Sequence, residues 1–119
     1  MSSDVKPIVS KAETFDLLEI RLGRVISAIP EPSAPKKSYK LEVDFGKFGK
    51  RTSVGRFTCH EVDELINKLV LGVLNFEPIK IGEVESQVLI LGVQYPKADS
   101  GEATFLTPAT EAKIGGKVF

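Results

Sequence analysis

The sequence predicts an all-β fold: a small five-stranded barrel with one helix between its third and fourth strands and an extension at each terminus. Two observations lead to this prediction. Short apolar or alternating segments are separated by glycines and prolines, which is typical of strands that close a small barrel. One segment has helical spacing, and it follows the third strand. Three strands, a helix and two strands is the order of the oligonucleotide/oligosaccharide-binding barrel (OB-fold), and a generic five-stranded sandwich is the alternative.

The N-terminal part predicts an arm followed by the first strand. Residues 1–14 are polar and are expected to form a flexible arm, so that the barrel domain comprises residues 15–119. Residues 15–19 can form one short helical turn. Residues 20–29 alternate over their whole length and predict a strand, in which Gly23 marks either a bulge or a close backbone approach.

The next two strands are predicted to form a hairpin. Three prolines within residues 30–35 make a loop that cannot pair in a sheet. Residues 40–45 alternate between polar and apolar side chains, and residues 52–54 return as the third strand. Gly46 and Gly49 bracket the turn between them. The apolar set predicted to face inward is Leu41, Val43 and Phe45.

The second half predicts the helix and the last strands. The helix is expected over residues 60–68, with Thr58 as its cap and Glu61 three residues further on. The remaining predictions are a buried strand over 69–76, a turn over 78–82, a strand over 86–93, a loop over 95–101, a short strand over 103–107 and then an irregular tail.

Positive charge is concentrated in one stretch of a chain whose formal net charge is zero. Residues 36–56 contain seven lysines and arginines against two acids, a local charge of +5, so the rest of the chain sums to −5. Such a distribution favours a face that meets an anion. The pI of about 6.6 argues against a general binder of polyanions, so a nucleic-acid role depends on this stretch.

Composition excludes several classes. No apolar run approaches the roughly 20 residues that span a bilayer, and the N-terminus lacks the apolar centre of a signal peptide. Cys59 is the only cysteine, which excludes an intramolecular disulfide and fits the reducing cytoplasm. Cys59 and His60 are adjacent, and a sequence with one histidine offers no second one for a metal set. We therefore expect no catalysis, metal site or cofactor.

Four segments resemble the tRNA-binding-domain family, and in particular its CsaA-like branch. They cover about residues 15–93 in the family's order. The segments are FDLLEIRLGRV at 15–25, APKKSYKLEVDFG at 34–46, LINKLV at 65–70, and NFEPIKI at 75–81 followed by SQVLILG at 86–92. The resemblance implies an OB-fold homodimer built from N- and C-terminal additions. It also implies binding of tRNA or chaperone-like binding of exported or unfolded polypeptides.

The segment between Asn75 and Ser86 departs from the family pattern. Ile79 stands where relatives carry a basic residue, and Glu83 stands where a glycine is expected. Glu77 and Glu85 add negative charge to the same segment. If they face the groove, these acids would repel phosphate and attract basic peptides, which favours the polypeptide as ligand.

Candidate ligand-binding residues follow from the charge and from the resemblance. The cations are expected to neutralise phosphates, Tyr39 and Phe57 to stack bases, and three polar residues to shape the groove. For Asn75, bonding to loop backbone groups is the favoured alternative, and for Phe57 it is burial in the core. The cations are Lys36, Lys37, Lys40, Lys50, Arg51, Arg56 and Lys80, and the polar residues are Ser53, Asn75 and Ser86.

Three functions remain open at this point. The first is a dimer of barrels that holds tRNA or another structured RNA, and the second is a chaperone that binds unfolded polypeptides or preproteins in the same groove. The third is an assembly domain whose main function is to provide a dimer surface. Dimer contacts are predicted in residues 5–9 of the arm and in the apolar tail, residues 114–119.

Overall fold

The structure is a computed structural model, and it describes residues 5–119. It consists mainly of short strands with a single turn of α-helix. The strands are β1 (Ile20–Pro30), β2 (Tyr39–Asp44), β3 (Lys50–Gly55), β4 (Leu69–Val73), β5 (Ile79–Ile81), β6 (Val84–Ser86), β7 (Leu89–Ile90), β8 (Gly92–Val93) and β9 (Thr104–Phe105); the helix is α1 (Val62–Leu65), and 3-10 turns occupy Phe15–Leu17 and Gly46–Phe48.

Five antiparallel strands form the barrel in the order β3-β2-β1-β4-β7. Its two edges meet through one backbone hydrogen bond and a few side-chain hydrogen bonds rather than through a full strand ladder. The backbone N–H of Gln87 donates to the carbonyl of Thr52 (2.7 Å), and the Gln87 side-chain oxygen accepts from the N–H of Thr52 (3.0 Å). The hydroxyl of Ser86 accepts from the N–H of Val54 (3.2 Å). The barrel is therefore nearly closed, and the predicted all-β OB-fold is confirmed.

The barrel interior contains the residues that the alternating pattern of residues 40–45 predicted to face inward. Leu41, Val43 and Phe45 are each at most 1% exposed. Gly23 lies against this core, where a Cβ would come within 2.7 Å of the Phe45 ring and of the Val43 side chain. The expected close approach at Gly23 is confirmed.

The bulge in β1 lies elsewhere. The register with β2 shifts between Val25 and Ser27. The extra residue, Ile26, turns outward, so that Val25 and Ala28 can both face the core.

The helix is much shorter than predicted, because contacts with β1 end it. Ile66 is extended and Asn67 has φ 72°, in the left-handed region. The N–H of Asn67 donates to the carbonyl of Val25 (2.7 Å), and the Val25 N–H donates to the carbonyl of Lys68 (3.0 Å). These bonds to the barrel replace the helical bonds that residues 66–68 would have formed.

The predicted cap is also wrong. The helix begins with a capping box between Glu61 and Glu64, in which the Glu64 carboxylate accepts from the N–H of Glu61 (2.6 Å). The hydroxyl of Thr58 instead donates to the carboxylate of Glu102 (2.8 Å).

The second half contains two further corrections. Residues 78–82, predicted as a turn, contain β5, and the β5–β6 hairpin turns at Gly82, where φ is +61°. The predicted strand over 86–93 is divided, because β7 pairs with β4 whereas β8 pairs with β9. The buried strand ends earlier than expected, at Val73, and the last strand lies inside its predicted range.

The C-terminal tail lies along β1 of its own barrel. The N–H of Gly115 donates to the carbonyl of Leu22 (2.8 Å), and the N–H of Val118 donates to the carbonyl of Ile20 (3.0 Å). Phe119 beyond this pairing is 89% exposed.

Residues 1–4 of the expected arm lie outside the described residues. The described part of the arm, residues 5–14, contains the exposed apolar side chains Val5, Ile8 and Val9. Over residues 5–119, the structure has no helix with the length and apolar character needed to cross a membrane.

Candidate functional site

The outer face of the sheet formed by β1, β2 and β3 has cations at both ends, the acid Glu42 at its centre and the acid Asp44 beside Lys50. Residues that pair directly across antiparallel strands share a face. Three rows of paired residues therefore cross this face: Arg24, Asp44 and Lys50 in the first, Ser27, Glu42 and Thr52 in the second, and Ile29, Lys40 and Val54 in the third. The Glu42 carboxylate accepts from the hydroxyl of Thr52 (3.0 Å), and that of Asp44 accepts from the N–H of Gly46 (2.8 Å).

The cations that cluster within residues 36–56 of the sequence lie in two groups at opposite ends of the β2–β3 hairpin. The Tyr39–Gly55 pair at one end and the Asp44–Lys50 pair at the other are five residue steps apart, about 17 Å along the strands. The loop-end group comprises Lys36, Lys37, Lys40 and Arg56, and the turn-end group comprises Lys47, Lys50 and Arg51. The predicted single patch is therefore two basic groups, with Glu42 between them and Asp44 opposite Lys50.

Arg56 in the loop-end group is engaged in holding loops together. Its Nε donates to the carbonyl of Lys37 (3.2 Å), Nη1 donates to the carbonyl of Ser100, and Nη2 lies 3.9 Å from the Glu102 carboxylate. The backbone N–H of Asp99 is the main group that holds the pKa of Glu102 below its ordinary value. Because the Arg56 side chain is only 18% exposed, its first role is structural.

In the turn-end group, unlike at Arg56, no cation forms an ion pair within residues 5–119. Lys50 in this group is exposed. Arg51 donates from Nη1 to the carbonyl of Leu74 (3.1 Å) and from Nη2 to that of Phe48 (3.3 Å). A guanidinium has five N–H donors, so these two bonds orient Arg51 and leave donors for a ligand.

The two aromatic residues expected to stack bases are buried. Phe57 is 4% exposed and packs edge-on against Phe105, with ring centroids 6.5 Å apart. Tyr39 is 6% exposed, and its hydroxyl donates to the carbonyl of His60 (2.8 Å). The same burial raises the pKa of Tyr39. Both rings belong to the core and offer no open face to a base, so this expectation is corrected.

Two of the three polar candidates, Asn75 and Ser86, bond to the protein's own backbone, and the third, Ser53, is buried. Asn75 accepts at Oδ1 from the N–H of Glu19 (2.7 Å) and donates from Nδ2 to the carbonyl of Leu17 (2.8 Å), which fixes the turn before β1. Ser86 is 8% exposed and joins the barrel edges, and Ser53 is 2% exposed. All three shape the barrel rather than presenting free polar groups.

The β5–β6 hairpin carries Lys80 opposite Glu85, and both side chains are exposed. Its turn contacts the loop after β1, where the Glu83 N–H donates to the hydroxyl of Ser33 (2.9 Å). A Cβ on Gly82 would lie 2.3 Å from the Ser33 carbonyl oxygen, so only glycine fits this contact. Lys80 is therefore available to a ligand, but it has an acid beside it.

Sequence analysis missed an apolar groove of about 560 Å³ between β3 and the β5–β6 hairpin. Phe76, Ile79 and Leu89 at its rim are 46%, 60% and 49% exposed. The signal available in the sequence was that Phe76 is an aromatic residue in a loop, outside the segments with periodic apolar residues. We call this site the apolar groove; the lining residues that define it are Val54, Phe57, Phe76, Ile79, Leu89 and Ile90.

A second depression adjoins the groove and shares Phe76 and Gln87 with it. Its volume is about 350 Å³, and its wall includes both Lys50 and Arg51. We call it the basic hollow; its defining residues are Lys50, Arg51, Leu74, Phe76, Glu85 and Gln87. An aromatic face and two cations therefore border one continuous surface.

The family model for the tRNA binding domain matches residues 20–117 of this chain. The chain belongs to the tRNA-binding-domain family. The crystal structure of the CsaA chaperone protein from Picrophilus torridus superposes with a TM-score of 0.83 at 31% identity, covering 94% of this chain and 100% of that one. The MetRS related protein from Pyrococcus horikoshii superposes with a TM-score of 0.79 at 26% identity, covering 95% and 100%.

The family also includes parts of much longer proteins. The methionine–tRNA ligase of Pyrococcus horikoshii is 38% identical over 109 residues, which are 91% of this chain. Those residues are 14% of the ligase, so this chain spans about one seventh of that relative's length.

Cys59 and His60 form no catalytic arrangement in this member of the family. Nε2 of His60 lies 2.9 Å from the hydroxyl of Thr104, and the Cys59 sulfur lies 3.8 Å from the carbonyl of Ala103. Within the described part of the chain, no group of three or more His, Cys, Asp or Glu side chains is arranged to hold a metal ion.

Proposed function

We propose that this chain binds tRNA, as a binding domain without catalysis, through the two basic groups of the β2–β3 hairpin. The observation that carries the proposal is the placement of these groups about 17 Å apart, at the two ends of the β2–β3 hairpin of a tRNA-binding-domain protein. OB-folds present the face of their second and third strands, with the flanking loops, to their ligands. Exposed lysines supply charge that positions phosphates without selecting a sequence.

The acids of this face restrict where phosphates can bind. Glu42 lies at the centre of the face and Asp44 lies opposite Lys50 at the turn end, so a polyanion is repelled at the centre and attracted by the lysines at the two ends. A folded RNA offers phosphates at several points of its surface, and it can therefore contact both ends at once. A tRNA ligand also implies a cytoplasmic location.

Fluorescence anisotropy with total tRNA at increasing salt tests this proposal. We expect affinity to fall steeply with salt, because binding releases counterions from the RNA. Reversing four exposed lysines (Lys36, Lys37, Lys47 and Lys50 to Glu) should weaken binding at least tenfold. Lys97→Glu/Lys113→Glu is the control, since both lysines are exposed and lie outside β1 to β3. Absence of wild-type binding at low salt would overturn the proposal.

We also propose that the chain acts as a homodimer. The apolar side chains of Val5, Ile8, Val9 and Phe119 are 68% or more exposed, and such surfaces usually have a partner. Two linked barrels would gain avidity for one tRNA. Sedimentation at micromolar concentration tests this, and a monomer there would contradict it.

An unfolded polypeptide is the second candidate ligand, and the apolar groove is the observation that favours it. Grooves of this kind accept the side chains of extended peptides. Binding of an apolar peptide should depend weakly on salt, in contrast to tRNA. Anisotropy with a labelled apolar peptide tests this, and no binding at any salt would exclude it.

A further inference from the structure

We propose that the apolar groove and the basic hollow together bind one unpaired nucleotide of the RNA, with the base on Phe76 and the phosphate at Lys50 and Arg51. The inference rests on the proposed binding of tRNA, and it identifies an unpaired nucleotide as the part of the RNA that binds here. It replaces Tyr39 and Phe57, which are buried, as the stacking surface.

The groove offers the surface that a base needs. Phe76 is 46% exposed at the junction of the two depressions, and Ile79 and Leu89 extend the apolar rim beside it. Proteins bind unpaired bases by stacking them on aromatic side chains in concave sites. A base-paired nucleotide keeps its faces stacked within the duplex and cannot enter such a groove.

The hollow offers the surface that a phosphate needs. Lys50 is exposed, and Arg51 is oriented by the carbonyls of Leu74 and Phe48 while retaining unused N–H donors. An arginine held in this way presents a fork that matches phosphate oxygens. Since Phe76 lines both depressions, a base that stacks on it has its phosphate directed towards these two cations.

Gln87 lies at the same junction and supplies polar contacts. Its Oε1 accepts from the Thr52 N–H (3.0 Å), which fixes the side chain against β3. The amide –NH₂ remains as a donor for a base edge or a phosphate oxygen. A groove lined by apolar side chains with a few fixed polar groups is typical of small-ligand sites.

Net charge favours a nucleotide over an apolar peptide as the occupant, since the hollow has Lys50 and Arg51 against Glu85, although Glu77 also lines the groove. An apolar peptide side chain would fill the groove but would gain nothing from Lys50 and Arg51 in the adjoining hollow. A nucleotide uses both depressions, because it is apolar on its base face and anionic at its phosphate.

The test uses a labelled six-nucleotide single-stranded RNA and the same sequence within a base-paired duplex. We expect the single strand to bind more tightly than the duplex does. Phe76→Ala should weaken single-strand binding about tenfold with an unchanged salt slope, and Phe76→Tyr should retain it. Lys50→Gln should lower the salt slope. The control is Leu17→Ala, which shortens another exposed apolar side chain, and thermal unfolding verifies that each variant folds.

The outcomes separate this inference from the proposed function. If wild type binds tRNA but Phe76→Ala binds the single strand as wild type does, the nucleotide site is wrong and tRNA binding stands. If an apolar peptide displaces the single strand and its affinity depends on Phe76 but not on Lys50, the groove is a peptide site and the inference is overturned. If wild type binds the single strand through Phe76 but binds no tRNA, the nucleotide site is supported and the proposed function fails.

Discussion

The arginines at the two ends of the β2–β3 hairpin are each held by two carbonyl groups, but only Arg56 also has an acid beside it. At the loop end, Arg56 donates to two loop carbonyls and lies 3.9 Å from the Glu102 carboxylate. At the turn end, Lys50 is exposed and Arg51 bonds only to carbonyls among the described residues. The difference shows that formal charge in a sequence does not measure the charge available to a ligand. Availability depends on which partners the fold places beside each cation.

Arg56→Ala should produce the largest effect on stability, because Arg56 connects the loops at the loop end. The substitution removes bonds that tie β3 to the loops at Lys37 and Ser100 and leaves the Glu102 carboxylate without its nearby cation. We expect a loss of about 2 kcal/mol in the free energy of unfolding, measured by urea denaturation. Lys50→Ala should change it by less than about 0.5 kcal/mol, as a surface substitution does. Equal stability of the two variants would show that Arg56 has no structural role.

Glu85→Gln should raise the affinity of the turn end for RNA. Glu85 lies in the wall of the basic hollow, where its charge opposes a phosphate at Lys50 and Arg51. Removal of that charge should tighten tRNA binding about threefold at low salt and have little effect at high salt, because screening already weakens the repulsion. Anisotropy titrations measure this. Glu111→Gln, which removes an exposed acid elsewhere, should leave affinity unchanged.

Glu102 should give the loop end a small dependence of stability on pH. Its pKa is lowered in the folded state, chiefly by the N–H of Asp99. A lowered folded pKa means that the carboxylate stabilises the fold above the ordinary glutamate pKa of about 4.3, and that this contribution is lost as the pH falls through the folded value. Urea denaturation between pH 3 and 6 should therefore show a weaker decline for Glu102→Gln than for the wild type. Identical declines would contradict this account of the pKa.

Local patterns predicted the barrel well because they depend on neighbouring residues. The alternation at Leu41, Val43 and Phe45 identified β2 and its inward face, and Gly23 was correctly assigned a close approach. The helix was too long in the prediction, because Asn67 and Lys68 bond to Val25, which is distant in sequence. No local pattern contains that information.

The candidate site was predicted less well, for the same physical reason. Sequence analysis placed the cations on one hairpin, but the strand geometry that separates them by about 17 Å appears only when β2 and β3 are paired. The burial of Tyr39 and Phe57 depends on contacts with residues 60 and 105. Phe76 lies at the rim of a groove only because the β5–β6 hairpin folds beside β3, and no local pattern predicts that contact.

The most direct test of the account compares the two ends of the hairpin in tRNA binding. The measurement is the salt dependence of affinity for Lys36→Glu/Lys37→Glu and for Lys47→Glu/Lys50→Glu. If tRNA contacts both ends, each variant should bind more weakly, and its slope of log affinity against log salt should be less steep by roughly one to two. If reversal at either end leaves both affinity and slope at the wild-type values, that end does not contact the RNA, and the two-ended interface is contradicted.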